Sequence, residues 1–322
     1  MIKKFLKKII LLVDFLFLPF VFTSALIMKL YRRIGSNLLK MNTKLLKRIG
    51  VFPIIDHYYE PQFNDLYSQF SPRKERLIPG INFNKDYQKK FLSNLNFQND
   101  FENFLNHQLN INKVESFSLN NGFFESGDAE ILFNFIRYIK PSRVIEIGCG
   151  SSTKIIAHAL KLNEKDKKSV AEHICIEPYE QPWLEEFNNI KIIRDKIENI
   201  DLSIFTSLQD GDFLFIDSSH IIRPQGDVLR EYLEIVPSLV SGVYVHVHDI
   251  FTPYDYPEEW KSKNIRFWNE QYLLEATLSN NPSYKVVAAL NFLKHEEYNF
   301  LKLICPYLTK ESEPGSFYFK KV

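Results

Sequence analysis

Apolar residues along this chain fall into three patterns. One is a long, nearly unbroken run near the start. The second is a middle stretch rich in Asn, Phe and Tyr, with helical spacing around Tyr87 to Leu109. The third is a series of short, largely apolar stretches that each carry an acid at or next to their end: Arg143-Val-Ile-Glu-Ile147, Glu172-His-Ile-Cys-Ile-Glu177, Ile190-Lys-Ile-Ile-Arg-Asp195, Asp212-Phe-Leu-Phe-Ile-Asp217 and Gly242-Val-Tyr-Val-His-Val-His-Asp249. Short runs that are apolar throughout, rather than alternating, predict parallel strands covered on both faces. Tyr284-Lys-Val-Val-Ala-Ala-Leu290 and Ser316 to Lys320 predict a sixth and a seventh strand, with a helix over Phe267 to Ser279 before them. The pattern alone yields a doubly wound α/β fold. It divides the chain into a hydrophobic and basic helical segment at 1–50, a helical cap at 51–121 over the mouth of the site, and an α/β domain at 122–322.

The first run, Ile9 to Ile27, is interrupted only by Asp14 and Pro19. Its length is just enough to cross a bilayer as a helix. Lys3, Lys4, Lys7 and Lys8 precede it, and Lys29, Arg32, Arg33, Lys40, Lys44, Lys47 and Arg48 follow. Two arrangements remain open: a helix spanning the membrane, or one lying in the interface with its lysines on acidic lipid. Thr23-Ser-Ala25 is a poor cleavage site, which disfavours a removed signal peptide. More basic residues follow the run than precede it, so the large C-terminal part is expected on the cytoplasmic side of the cytoplasmic membrane, with a peripheral cytoplasmic location as the alternative. Ser36 to Ile49 alternates leucines with basic residues, as an amphipathic helix would, either along the membrane surface or docked on the α/β domain.

Composition narrows the classes. The chain has 322 residues, 45% hydrophobic and 25% charged, enough for one large core and a smaller appendage. Its net charge of +1 implies no basic face for nucleic acid. Cys149, Cys175 and Cys305 are widely spaced, without a CxxC pattern, and read as reduced structural thiols.

The richest chemistry lies in Arg143 to Thr153, a buried strand running into Gly148-Cys-Gly150 and then Ser151-Ser-Thr153 at a helix start. Glycines at 148 and 150 are expected to allow a tight turn and close approach of a ligand. Thr153 stands where a dinucleotide site wants its third glycine, so a pyrophosphate is disfavoured. Glu146 instead offers a carboxylate to a cation, and S-adenosylmethionine carries both a sulfonium and an ammonium. Glu177, one βαβ unit downstream, is placed to take the ribose hydroxyls. Asp195 either lies beside the adenine or serves as a helix cap or surface charge. The cofactor-binding set is therefore Glu146, Gly148, Gly150, Ser151, Glu177, Asp195 and Asp217. Glu146, Glu177, Asp217 and Asp249 all end strands, so they gather along the edge where open α/β sheets bind ligands.

With those residues in view, the chain resembles a class I S-adenosylmethionine-dependent methyltransferase, in particular the bacterial group with Phe-Ile-Asp-Ser-Ser-His and His-Asp-Ile motifs, here Phe215 to His220 and His248 to Ile250. The resemblance covers about residues 120 to 322, including Pro253, Tyr256-Pro-Glu-Glu-Trp260, Phe267-Trp-Asn-Glu-Gln-Tyr272 and Gly315-Ser-Phe-Tyr-Phe319, and extends to His57-Tyr-Tyr-Glu-Pro61. It implies a Rossmann-like, seven-stranded, mostly parallel sheet with one antiparallel hairpin at its edge. In the metal-dependent oxygen methyltransferases that this fold resembles, an acid after the fourth strand and a pair after the fifth hold a divalent ion. Asp217, His248 and Asp249 are the corresponding metal candidates, with hydrogen bonding to cofactor or backbone as the alternative role.

Methyl transfer needs a nucleophile held in line and relieved of its proton. His220, with an ordinary pKa near 6.5, is the candidate base, and Asp217 and His248 complete the catalytic set. His246 lies deeper in its strand and reads as a core histidine. The expected activity is methyl transfer to a hydroxyl of a saccharide, a lipid-linked compound or another small molecule near the membrane. A metal-dependent hydroxylase on the same fold and a non-catalytic cofactor-binding protein remain as alternatives.

Overall fold

The computed structural model describes residues 2–55, 59–61, 74–106, 114–167, 170–179, 181–262 and 264–322. They form two compact units, Met1–Ser71 with Ser262–Ile265 and Pro72–Lys261 with Arg266–Val322. His57 and Tyr58, and residues 62–73 and 107–113 of the expected cap, lie outside the described residues.

In the first unit, helix α1 runs over Ile2–Ile34. The Thr23 hydroxyl donates to the carbonyl of Pro19 within it, at 2.8 Å. Gly35, at φ +106°, turns the chain and donates to the carbonyl of Tyr31. Helix α2 spans Lys40–Ile49 and stops at Gly50, whose left-handed φ of 82° lets its N–H close on Leu46. The amphipathic segment expected from Ser36 therefore starts four residues later, because Ser36, Asn37 and Leu38 form the turn. A 2.6 Å hydrogen bond between Tyr31 Oη and Thr43 Oγ1 ties α2 to α1.

The second unit is built on a seven-stranded sheet. Its strands are β1 (Arg143–Ile147), β2 (Glu172–Ile176), β3 (Lys191–Ile193), β4 (Phe213–Ile216), β5 (Tyr244–Val247), β6 (Tyr284–Ala289) and β7 (Phe317–Lys321). The order across the sheet is β3-β2-β1-β4-β5-β7-β6, parallel except that β7 runs antiparallel to both β5 and β6. All seven expected strands are present, and the antiparallel hairpin closes the edge by slipping β7 between β5 and β6. Register then fixes the site. Ile147 lies level with Ile176 and with Ile216, and Ile216 with Val247. The next residues, Gly148, Glu177, Asp217 and His248, consequently line up along the carboxyl edge, at the point where the winding reverses between β1 and β4.

Helices α3 (Lys85–Leu92), α4 (Gln98–Asn106), α5 (Asp128–Ile139) and α6 (Ser151–Lys167) belong to this unit. Leu92, Phe101 and Phe104 are buried in the same core as Phe133 and Phe135 of α5 and the strands. Each such side chain contributes about 1.5–3 kcal/mol through removal from water. Gln88 of α3 is fully buried and accepts from the Ala289 N–H at 2.7 Å, closing the end of β6. Within the region expected as a cap, 51–121, α3 and α4 pack on the flank of the sheet, because their apolar faces complete that of α5. The continuous periodicity from Tyr87 to Leu109 breaks at Ser93, the C-cap of α3.

The ring of His158 on α6 stacks on Phe104 with centroids 4.1 Å apart. Burial, reinforced by Lys161, Lys165 and Arg137, pushes its pKa down to about 4. A depressed histidine stays neutral in the fold while the unfolded chain takes up its proton below about pH 6.5. Stability is therefore lost as the pH falls from about 6.5 towards 4, by about 2 kcal/mol after allowance for partial solvent exposure. Urea unfolding at pH 7 and 4.5 should show that much less loss in His158→Phe than in the parent chain. Equal losses would exclude this assignment.

Candidate active site

Gly148 follows β1 at φ +77°, and a Cβ added there would meet the Asp217 carbonyl oxygen at 1.8 Å. Strand β4 passes so close that only glycine fits. Gly150 differs from expectation: a Cβ there meets no heavy atom within 4 Å, so nothing in the folded chain demands glycine at that position. Ser151 opens α6 and is half-buried.

Glu146 also departs from the sequence reading. Its side chain is fully buried, with Oε1 accepting from the hydroxyls of Ser152 (2.7 Å) and Thr153 (3.0 Å) and Oε2 lying 2.9 Å from His173 Nε2. Thr153 Oγ1 in turn accepts from the Gly150 N–H at 3.1 Å. Glu146 thus fastens the first turn of α6 beneath the loop instead of facing open space, and Thr153, in place of a third glycine, is one of its partners.

Glu177 is well placed. Oε2 accepts from the Cys149 N–H at 3.3 Å and Oε1 from the Tyr179 N–H at 3.1 Å, which aims the carboxylate across the turn. With Gly148, Ile197, Asp217 and Ser218 it lines a cavity of about 390 Å³ outside β1, β2 and β4. Asp195 does not line this cavity. It is an exposed surface charge that accepts from Asn199 Nδ2 and the Lys196 N–H, each at 2.7 Å, and those bonds lower its pKa; the N-cap of the short helix Ile197–Asn199 is Lys196, not Asp195.

Beyond β4 and β5 the acids and histidines converge. His220 sits in left-handed backbone at φ +60°, and its carbonyl accepts the N–H groups of Asn269 and Glu270. Its Nδ1 hydrogen-bonds Glu270 at 2.7 Å, while Nε2 lies 3.2 Å from Asp217 and 3.6 Å from Asp249. Asp249 is likewise left-handed, at φ +57°. Two non-glycine residues strained in this way, side by side, are the sort of backbone cost found at functional sites. His248 Nδ1 lies 3.6 Å from both Asp217 and Asp249, and Nε2 lies 3.8 Å from Asp128.

Electrostatics follow from this packing. Burial pulls the His220 pKa down, but hydrogen bonds to Asp217 and Glu270 and the charges of Glu270 and Asp249 outweigh it and hold the ring well above the ordinary value. The ordinary pKa near 6.5 expected for His220 is therefore absent. His248 is held up in the same way by Asp249 and Asp217 against its burial. Desolvation would raise Asp217, yet the two imidazoles keep it well below the carboxylate range, whereas desolvation wins at Asp249 and raises it.

Several members of this network lie outside the residues singled out by sequence. Glu270 begins the helix Glu270–Leu278, receives the Tyr232 hydroxyl at 2.9 Å and is fully buried. Glu231 accepts from Ser218 Oγ at 3.0 Å, and Asp227 accepts from the Ser219 N–H and hydroxyl, so the loop after β4 is clamped from below. Asp128 receives the N–H groups of Gly315 and Ser316. Acids in the first turns of helices carried the available signal at 128, 227 and 270. His246 is the core residue expected: fully buried, 2.9 Å from Ser316 Oγ, stacked on Phe215, its pKa pushed well below normal by burial.

His248 and Asp249 open onto a second, larger cavity of about 680 Å³, also lined by Phe123, Glu125, Trp260 and Tyr307. The mouth expected of a cap is thus supplied in part by the 119–126 loop.

Residues 145–250 match the family model described as a methyltransferase domain. The chain carries a methyltransferase domain of that family. Over 219 residues, 64% of this chain and 95% of the relative, it is 29% identical to an uncharacterized protein of Archaeoglobus fulgidus. Among solved structures, the methyltransferase domain is similar to an O-methyltransferase from Bacillus cereus in complex with SAH (13% identity, 72% of this chain and 91% of that one, TM-score 0.35). It is also similar to a putative methyltransferase from Thermobifida fusca (12%, 61% and 81%, TM-score 0.36). At those scores the likenesses carry no argument about the acceptor.

Proposed function

We propose that the methyltransferase domain transfers a methyl group from S-adenosylmethionine to a hydroxyl of a saccharide, a lipid-linked compound or another small acceptor, with α1 attaching the chain to the cytoplasmic membrane and the domain on its cytoplasmic side. One observation supports this most: the Asp217, His220, His248 and Asp249 cluster stands between two cavities, Asp217 lining the smaller and His248 and Asp249 the larger. In this reading the cofactor fills the smaller cavity. Glu177 takes the ribose hydroxyls, the backbone from Gly148 to Ser151 packs against the methionine part, and Asp217 faces the sulfonium end.

The acceptor enters through the larger cavity, and its oxygen attacks the methyl carbon in line. The O–C bond forms as the S–C bond breaks, leaving S-adenosylhomocysteine, and the hydroxyl proton passes to the Asp249 carboxylate, which burial makes more basic and the His220 imidazolium faces from 3.6 Å. Glu270 holds His220 through Nδ1 so that Nε2 keeps its bearing between the two aspartates. Trp268, 4.3 Å from the His220 ring, covers it from one side and excludes water.

Asp217, His248 and Asp249 each offer one donor atom, all within 4.8 Å of one another, so two carboxylates and an imidazole fit a divalent cation. The approach of Asp128 to His248 Nε2 supplies the outer-shell carboxylate that such a histidine commonly has. A bound divalent ion would lower the pKa of the acceptor hydroxyl.

The cofactor assignment is tested by calorimetric titration of the full chain in detergent with S-adenosylhomocysteine. Glu177→Ala removes charged hydrogen bonds and should weaken binding by about 10- to 100-fold. Unchanged affinity would move the cofactor out of this cavity.

A further inference from the structure

The first unit carries a surface that α1 does not use. Helix α2 is tied to α1 through Thr43, and its Leu46 is buried. Met41, Leu45 and Ile49 follow one another at i, i+4 and i+8 and so share a different face, with exposures of 87%, 54% and 63%. Leu38, in the turn just before, extends the stripe and is 75% exposed. An apolar face this open on a short helix needs a partner, since water solvates it poorly.

Charge identifies the partner. Lys40, Lys44, Lys47 and Arg48 rise beside the stripe, and no Asp or Glu occurs from Phe15 to Ile55. A protein surface that buried this face would have to match four cations with acids and an apolar groove. An anionic bilayer offers both at once, with acyl chains below and phosphates at the level of the lysine tips. Gly35 and the turn after it bring α2 directly behind the basic end of α1, where a membrane-crossing helix leaves the hydrocarbon.

We infer that α2 lies in the headgroup layer of an anionic membrane, with Leu38, Met41, Leu45 and Ile49 in the acyl boundary and Lys40, Lys44, Lys47 and Arg48 on lipid phosphates. This rests on the reading of α1 as the membrane segment. Together the two helices make an anchor that senses lipid charge, so attachment depends on acidic lipid as well as on apolar length.

Single cysteines introduced as Val21→Cys, Met41→Cys and Lys47→Cys in the full chain, labelled with an environment-sensitive nitrobenzoxadiazole dye and reconstituted in nanodiscs, test it. The native Cys149, Cys175 and Cys305 are buried and stay unlabelled in the folded chain. Nanodiscs contain phosphatidylcholine alone or with about 30% phosphatidylglycerol, together with brominated lipid as quencher. Position 21 is expected to be quenched in both compositions. Position 41 should be quenched at least about threefold more than position 47 when phosphatidylglycerol is present, and Lys44→Glu should remove most of that difference. Quenching at 21 with none at 41 would overturn the α2 proposal alone, whether 41 stays in water or is shielded by protein. Absence of quenching at 21 as well would overturn the reading of α1 beneath it.

Discussion

Gly148→Ala is expected to abolish cofactor binding and to destabilise the methyltransferase domain by about 3 kcal/mol or more. Two costs combine. An L-residue held near φ +77° costs roughly 1–2 kcal/mol relative to glycine. The new methyl would also press on the Asp217 carbonyl from 1.8 Å, a backbone atom that cannot rotate away, so β1 and β4 must part beside the smaller cavity. Gly150→Ala is the informative control. No neighbour lies within 4 Å of its added methyl, so its unfolding midpoint should match that of the parent chain. If the cofactor backbone passes over this turn as proposed, affinity for S-adenosylhomocysteine should fall in Gly150→Trp without loss of stability. Thermal unfolding and calorimetry of the variants separate these effects, and a stable, fully binding Gly148→Ala would contradict the loop geometry.

His220→Asn should lower kcat by about 100-fold or more, while affinity for S-adenosylhomocysteine stays within about threefold. Asparagine is chosen because it tolerates the left-handed backbone at φ +60° and keeps a polar group between Asp217 and Glu270. Alanine there would offer Glu270 no hydrogen-bond donor and would strain the left-handed backbone, and the folding penalty would obscure the chemistry. The carboxylates around His220 come from three separate elements, the ends of β4 and β5 and the helix Glu270–Leu278, so the ring is the joint through which they act together. Full turnover in His220→Asn would show that the His220 cation is not needed to set Asp249 and Asp217 for the reaction.

The first five strands were legible because each is a short, largely apolar run with an acid at or beside its end, and that same feature marked Glu177, Asp217 and Asp249 at the carboxyl edge. What escaped follows from direction and distance. In a strand covered on both faces no polarity pattern tells which side a residue takes, so Glu146 read as a ligand although its side chain turns under α6 to Ser152, Thr153 and His173. Glu270 lies 50 residues from His220 in sequence, and only the packed helix brings the two to 2.7 Å. Helical periodicity found α3 and α4 but could not say which surface they cover. The aromatic faces that suggested a cap are filled by Phe133, Phe135 and His158 of the α5 and α6 layer.

The central claim is that a methyl group leaves S-adenosylmethionine for a hydroxyl at the Asp217, His220, His248 and Asp249 cluster. It is tested most directly by incubating the full chain and S-adenosylmethionine bearing a ¹³C-methyl group with membrane and metabolite extracts from cells lacking the gene. The parent chain is predicted to produce a labelled methyl ether and one equivalent of S-adenosylhomocysteine, and Asp217→Asn to produce neither. Oxygen uptake with an unlabelled hydroxylated product, or tight cofactor binding with no labelled product in any extract, would contradict it.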